Sequence, residues 1–373
     1  MKKLRWKARW SFLALAGLMA AGVSLAQSPA PGPQINSAAS SSNWTFAASG
    51  DSRNCGDVVM PAIAAAVKEQ GASFYWHLGD FRAIYTFDED MQHQPENLVK
   101  PMVIIGYETR AWNDFLQNQI EPFGELPVFL GIGNHETIAP KDRQQYIIQF
   151  ADWLDSPVLR AQRLRDDPQN HRLQTYYHWA ERGVDFINLD NATADQFDAA
   201  QLRWFESVLR ADSANPEVRS IVVGMHKALP DSISEDHSMS ESLDGIASGR
   251  RVYADLLKAR DAAHKHVYVL SSHSHYYMAG IFNTAYWREN GGVLPGWIVG
   301  TAGAYRYALP PNAADALAAE TSVYGYLSGS VKAGGEITFT YHQVNESDIP
   351  GPIVERYSQP FVHWCFAENS AGH

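Results

Sequence analysis

Cysteine is nearly absent from this chain of 373 residues: Cys55 and Cys365 are the only two. So few thiols exclude a thiolate-built structural zinc site. In an oxidising compartment the two can pair and tie the carboxy-terminal tail to the first helix, or they remain separate thiols, and the sequence leaves both open. Positive charge is also scarce, with 30 Lys and Arg against 41 Asp and Glu and a formal net charge of -11. Nucleic acid is thereby excluded as a partner, because binding a phosphate backbone needs a basic surface. Long apolar runs are missing after the first 26 residues, so no stable membrane insertion is expected of the rest. No internal repeat is present, which excludes solenoids and propellers.

The one long apolar run, Trp10 to Val23, follows Lys2, Lys3, Arg5, Lys7 and Arg9 and precedes Ser24-Leu25-Ala26. A basic region, an apolar core and a small-residue cleavage site describe a secretory signal peptide over residues 1–26, hence a periplasmic or secreted protein. Losing those five cations takes the net charge from -11 to -16. Residues 27–42, rich in Pro, Ser and Ala, are expected to be a disordered leader. One domain over 43–345 and a packed tail over 346–373 are expected to follow.

Hydrophobic patterning predicts strands at Thr45–Ser49, Ser73–Leu78, Pro127–Leu130, Gln174–Ala180, Val184–Leu189, Arg219–Gly224, His266–Leu270, Gly296–Val299, Thr321–Ser328 and Glu336–Val344. Helices are expected at about Asp57–Gln70, Thr109–Ile120, after Glu136 through Leu164, at Asp195–Leu209 and at Arg251–Ala263. Strand and helix alternate early, whereas the late part is mostly strand. The fold class predicted is α/β, a four-layer αββα sandwich of two mixed β-sheets flanked by helices.

Polar residues gather where the strands end: Asp51 with Arg53, Asp80, Asn134 with His135, His226, and His273 with His275. In an open sheet such ends converge on one crevice. Each has a bland explanation: a helix cap for Asp51 and Asp80, a core histidine for His226, alternating strand faces for His273 and His275. Taken together, two carboxylates, one amide and three imidazoles form a mixed oxygen and nitrogen donor set suited to Zn, Fe, Mn or Ni. Two such ions sharing one Asp would hold a hydroxide for in-line attack on phosphorus.

In this order the motifs resemble those of the calcineurin-like metallophosphoesterase superfamily, which includes the purple acid phosphatases. The matching stretches are Asp51-Ser52-Arg53, Gly79-Asp80, Gly133-Asn134-His135-Glu136, His226 and Ser272-His273-Ser274-His275, with Gly300 to Ala304 as supporting context. The resemblance implies two metal ions of the Fe, Zn or Mn class. It implies that Asp80 bridges them, that Asn134, His226 and His273 complete the second site, and that Asp51 and His275 serve the first. His135 would act on a small phosphorylated substrate, a phosphate mono- or diester, and Glu136 would orient its neighbours. The chain departs from the pattern at Arg53, where the family has a ligand histidine. It also lacks a tyrosine at the purple acid phosphatase position after Gly79-Asp80, and lacks the Asp-Arg-Gly of the Ser/Thr protein phosphatases. Arg53 then either clamps a phosphate oxygen pair or forms an ion pair with a carboxylate such as Asp57.

Two other readings stand beside this one. Gly50-Asp51-Ser52, Gly131-x-Gly133-Asn134 and Asp261-x-x-His264 fit a serine esterase of the Gly-Asp-Ser type by letters. The missing ligand at Arg53 also suits a descendant that binds metal or phosphate without turnover.

Overall fold

The computed structural model describes residues 43–192 and 196–370. The expected signal peptide and leader lie outside them, as does Asp195, the expected start of the helix that here runs Ala199–Ala214. The first sheet contains β1 (Trp44–Ser49), β2 (Tyr75–His77) and β3 (Val128–Leu130). The second contains β4 (Tyr177–Glu181), β5 (Val184–Asn188), β6 (Ser220–Gly224), β7 (His266–Ser271), β8 (Tyr277–Ala279), β9 (Gly296–Val299) and β10 (Ala318–Glu320). The chain returns to the first sheet with β11 (Tyr324–Val331) and β12 (Ile337–Val344). Strand order is β12-β11-β1-β2-β3 in one sheet and β10-β8-β9-β7-β6-β5-β4 in the other. Both are mixed: β1, β2 and β3 run parallel, as do β5, β6, β7 and β9, with antiparallel strands outside them.

Strand periodicity explains why two sheets stack. In β1, Phe46 and Ala48 face the second sheet while Ala47 faces the helices. An aromatic layer fills the space between sheets, with Phe129 stacked on Trp179 at 3.9 Å and Phe74 edge-on to Phe186 at 5.0 Å. In β6, Val222 joins this layer, while Ile221 and Val223 pack outward with residues of helices Ala199–Ala214 and Leu243–Asp261. Burial on both faces is what makes Arg219–Gly224 read as one apolar run rather than an alternation. On the outer face of the first sheet lies helix Gly56–Glu69, whose Val59, Ile63 and Val67 are buried. The tail helix Gln359–Ala367 packs beside it, and Cys365 and Cys55 form a disulfide.

Element boundaries shift where glycine or short turns blur the pattern. The helix expected from Arg251 begins at Leu243, with the Ser242 hydroxyl accepting from Gly245 N at 2.9 Å. Gly249 sits inside it because a side chain there would strike Pro230. The strand expected at Thr321–Ser328 is found three residues later as β11, with the short β10 before it, and the stretch between Phe81 and Leu126 contains three helices before a π turn at Leu116–Ile120.

A buried charge cluster fastens helix Pro157–Asp166 to the edge strand. His178 lies 2.7 Å from Asp185 through Nδ1 and 2.8 Å from Asp166 through Nε2. Burial alone would lower its pKa from 6.5, but the two carboxylates outweigh it and raise it to about 10. The contribution to stability is therefore fully present below pH 6.5 and lost as pH rises toward 10. Asp212, raised from 3.8 to about 9 by burial and by Asp185, acts in the same direction, since the folded state keeps a proton that the unfolded chain has released. Melting temperature is expected to fall between neutrality and pH 10, and His178→Gln should flatten that fall. An unchanged slope in the variant would assign the alkaline loss to other groups.

Candidate metal centre

Three of the residues singled out from sequence stand in left-handed backbone at their strand ends: Asp51 (φ 61), Asp80 (φ 60) and His273 (φ 68). Such conformations are strained for residues with a Cβ and mark positions where side-chain direction matters. Two glycines let the loops meet. A Cβ on Gly79 would lie 2.4 Å from Gly133 N, and one on Gly133 would lie 2.2 Å from Asp80 Oδ1. The Glu136 carboxylate locks this junction by accepting from Asp80 N (2.8 Å), Phe81 N (2.9 Å) and Gly133 N (2.8 Å).

Around Asp80, side-chain oxygen and nitrogen atoms face one another. His226 Nε2 lies 3.0 Å from Asn134 Oδ1, 3.1 Å from His273 Nδ1 and 3.3 Å from Asp80 Oδ1. The other nitrogen of His226, Nδ1, donates to Leu78 O at 3.0 Å, which leaves Nε2 as the nitrogen that faces the cluster. Ser272, standing where the family pattern has glycine, donates its hydroxyl to the same carbonyl at 3.1 Å. Asp80 Oδ2 is buried without a hydrogen-bond partner. Ligands about 2.0–2.2 Å from one ion lie about 3.0–3.5 Å from each other, so these spacings fit a common cation. Among the described residues, Asp80, His226 and His273 form the one group of carboxylate and imidazole donors close enough to hold a metal. Burial would raise the Asp80 pKa, but His135, His226 and Arg53 overcome it and hold the carboxyl well below its usual range.

The remaining residues line the other side of Asp80. Asp51 Oδ1, also buried and unpaired, is 3.3 Å from His275 Nε2, and His275 Nδ1 donates to Tyr305 O at 2.7 Å. Arg53 is buried and faces the same nitrogen, with Nη2 3.3 Å from His275 Nε2 and its guanidinium over the Tyr305 ring at 4.8 Å. The ion pair with Asp57 considered from sequence is not formed. Asp57 is held instead by Arg82, by Gln119 at 3.0 Å and by Tyr357 at 2.7 Å. His135 donates its Nδ1 proton to Ala83 O at 2.7 Å and turns Nε2 toward Asp80 Oδ2 at 3.6 Å.

The walls of the site carry no sequence motif. Tyr307 stacks on His275 with ring centres 4.1 Å apart, His237 stacks on Tyr307 at 5.0 Å, and Tyr85 lies 5.4 Å from His135. His77, in β2, supports the site from beneath: Nε2 is 2.9 Å from Ser52 Oγ, and burial lowers its pKa to about 3. Its Nδ1 accepts from Gly79 N, so the ring proton is on Nε2 and the ring is no base for Ser52. Asp261 and His264 are exposed and Ser52 is buried, so the three parts of the serine esterase reading do not assemble.

A family model described as calcineurin-like phosphoesterase matches residues 50–277. No curated protein matches the chain. Among solved structures, the purple acid phosphatase PPD1 from yellow lupin seeds is similar with a TM-score of 0.56 and 16% identity, over 82% of this chain and 52% of that one. The chain thus spans about half the length of the lupin protein. PhoD (TM-score 0.48, 14% identity, 87% and 77% coverage) and a dimetal phosphatase from Danio rerio (0.47, 10%, 80% and 99%) resemble it more loosely.

Proposed function

Since the chain belongs to the calcineurin-like phosphoesterase family, whose members are hydrolases acting on phosphoester bonds, we propose that it is a metal-dependent phosphoesterase acting on small phosphate mono- or diesters. The observation that carries this reading is the buried cluster in which Asp80, Asn134, His226 and His273 turn oxygen and nitrogen atoms toward one another at ligand-to-ligand spacings. The family implies a two-metal centre, and these four residues would hold the second ion, with Asp51 and His275 at the first. Metal of the Fe, Zn or Mn class would supply charge that stabilises the developing negative charge on phosphorus-bound oxygens. Arg53 faces the same space with a fixed positive fork, and His135 offers a ring nitrogen beside it. Export to the periplasm or medium belongs to the same proposal, supported by the leader sequence and by a disulfide that suits an oxidising compartment. So do the boundaries, with the tail from residue 346 packed on one domain.

Hydrolysis of an aryl phosphate monoester and diester should be lost on chelation and restored by adding back Zn, Mn or Fe. Turnover indifferent to chelation would overturn the reading, and metal binding with no turnover on either ester would favour a binding-only descendant.

A further inference from the structure

The two cation positions flanking Asp80 are not equivalent in this chain. At one, four ligand groups converge at ligand-to-ligand spacings: Asp80, Asn134, His226 and His273. At the other, only Asp51, His275 and the shared Asp80 are available, because residue 53 is arginine. Arg53 is not merely absent from the ligand set. Its Nη2 stands 3.3 Å from His275 Nε2, the same spacing that separates His275 from Asp51 and one ligand-to-ligand distance for a bound ion. A guanidinium has donors and no lone pair, so it cannot ligate. It instead occupies the lone pair of His275 that an ion would need, and a second cation there would meet a fixed positive charge inside a buried site.

The geometry points to a centre with one resident metal ion, held by Asp80, Asn134, His226 and His273, in which the Arg53 guanidinium takes the place and the charge of the other ion. This inference rests on the phosphoesterase reading above. Two features fix the guanidinium for that task. Stacking on Tyr305 holds it at 4.8 Å from the ring centre, and the Tyr305 carbonyl holds His275 in the tautomer that accepts from it. Arg53 Nε is buried without a partner, a donor left over for an incoming anion. A phosphate oxygen bound there would approach the resident ion from the side where a two-metal enzyme presents its other metal.

The test is metal stoichiometry. The full chain, loaded with zinc and dialysed against metal-free buffer, should retain about one ion, Arg53→Lys about one, and Arg53→His, which restores a donor, about two. Arg53→His should also raise KM for an aryl phosphate about tenfold or more, the worth of one charge-assisted hydrogen bond. Two ions retained by the unaltered protein, or one by Arg53→His, would overturn the single-ion centre while leaving a chelator-sensitive phosphoesterase intact. A protein that binds no metal and hydrolyses no ester would instead sink the parent reading.

Discussion

Asp80→Asn is expected to lose turnover by at least about a thousandfold, since a metal centre contributes several kcal/mol of charge stabilisation and each 1.36 kcal/mol is a decade. It should also fail to retain metal through dialysis. Asparagine fits the space, so the argument turns on charge and on donor type. Asp80 Oδ1 already accepts from His135 N at 2.9 Å and borders His226 Nε2 at 3.3 Å, while Oδ2 is bare. An amide would replace one carboxylate oxygen by an N–H pair that cannot ligate, removing the charge that draws a cation in. Its backbone amide would still bind Glu136, so the loop stays anchored and the variant should fold. Metal content, melting temperature and kcat measured on one preparation separate these effects. Full turnover in Asp80→Asn would remove this carboxylate from the centre.

What could be read from sequence and what could not divide along physical lines. Phe46 and Ala48 against Ala47 alternate with strand period, and Ile221 to Val223 form a run because both faces of that strand are covered, so two sheets were legible from local pattern. Helix Leu243–Asp261 was seen only from its middle because Gly245 and Gly249, the latter packed against Pro230, dilute its apolar stripe. Asp51, Asp80, Asn134, His226, His273 and His275 were visible as candidates because each follows a strand and the topology gathers strand ends. Their convergence about Asp80 is geometry that the spacing alone did not contain. Tyr305, Tyr307, His237 and Tyr85 come from loops whose paths follow from packing, and no period marks them. Arg82 carries no mark in the sequence. Its role depends on Asp57, Asp88, Asp90 and Asp114, scattered over 58 positions and brought around one guanidinium by the fold.

His135→Ala, by contrast, should keep its metal and lose rate. The imidazole is buried at the edge of the cluster, yet its Nδ1 proton is committed to Ala83 O at 2.7 Å, so only Nε2 is free to act, 3.6 Å from Asp80 Oδ2. None of the close contacts that link His226, Asn134, His273 and Asp80 passes through the His135 ring, and its backbone N–H, which does bind Asp80, survives the substitution. Losing a positioned acid or a charge-stabilising donor costs about 10²–10⁴-fold in kcat. The leaving group decides which role is lost. If Nε2 delivers a proton to the departing oxygen, alkyl phosphates, whose alkoxides are poor leaving groups, should suffer far more than nitrophenyl phosphate, which departs without help. Equal losses across the series would assign His135 to the phosphoryl oxygens instead. A drop in bound metal would show that the ring is a ligand and that the four-donor site around Asp80 has been drawn too narrowly.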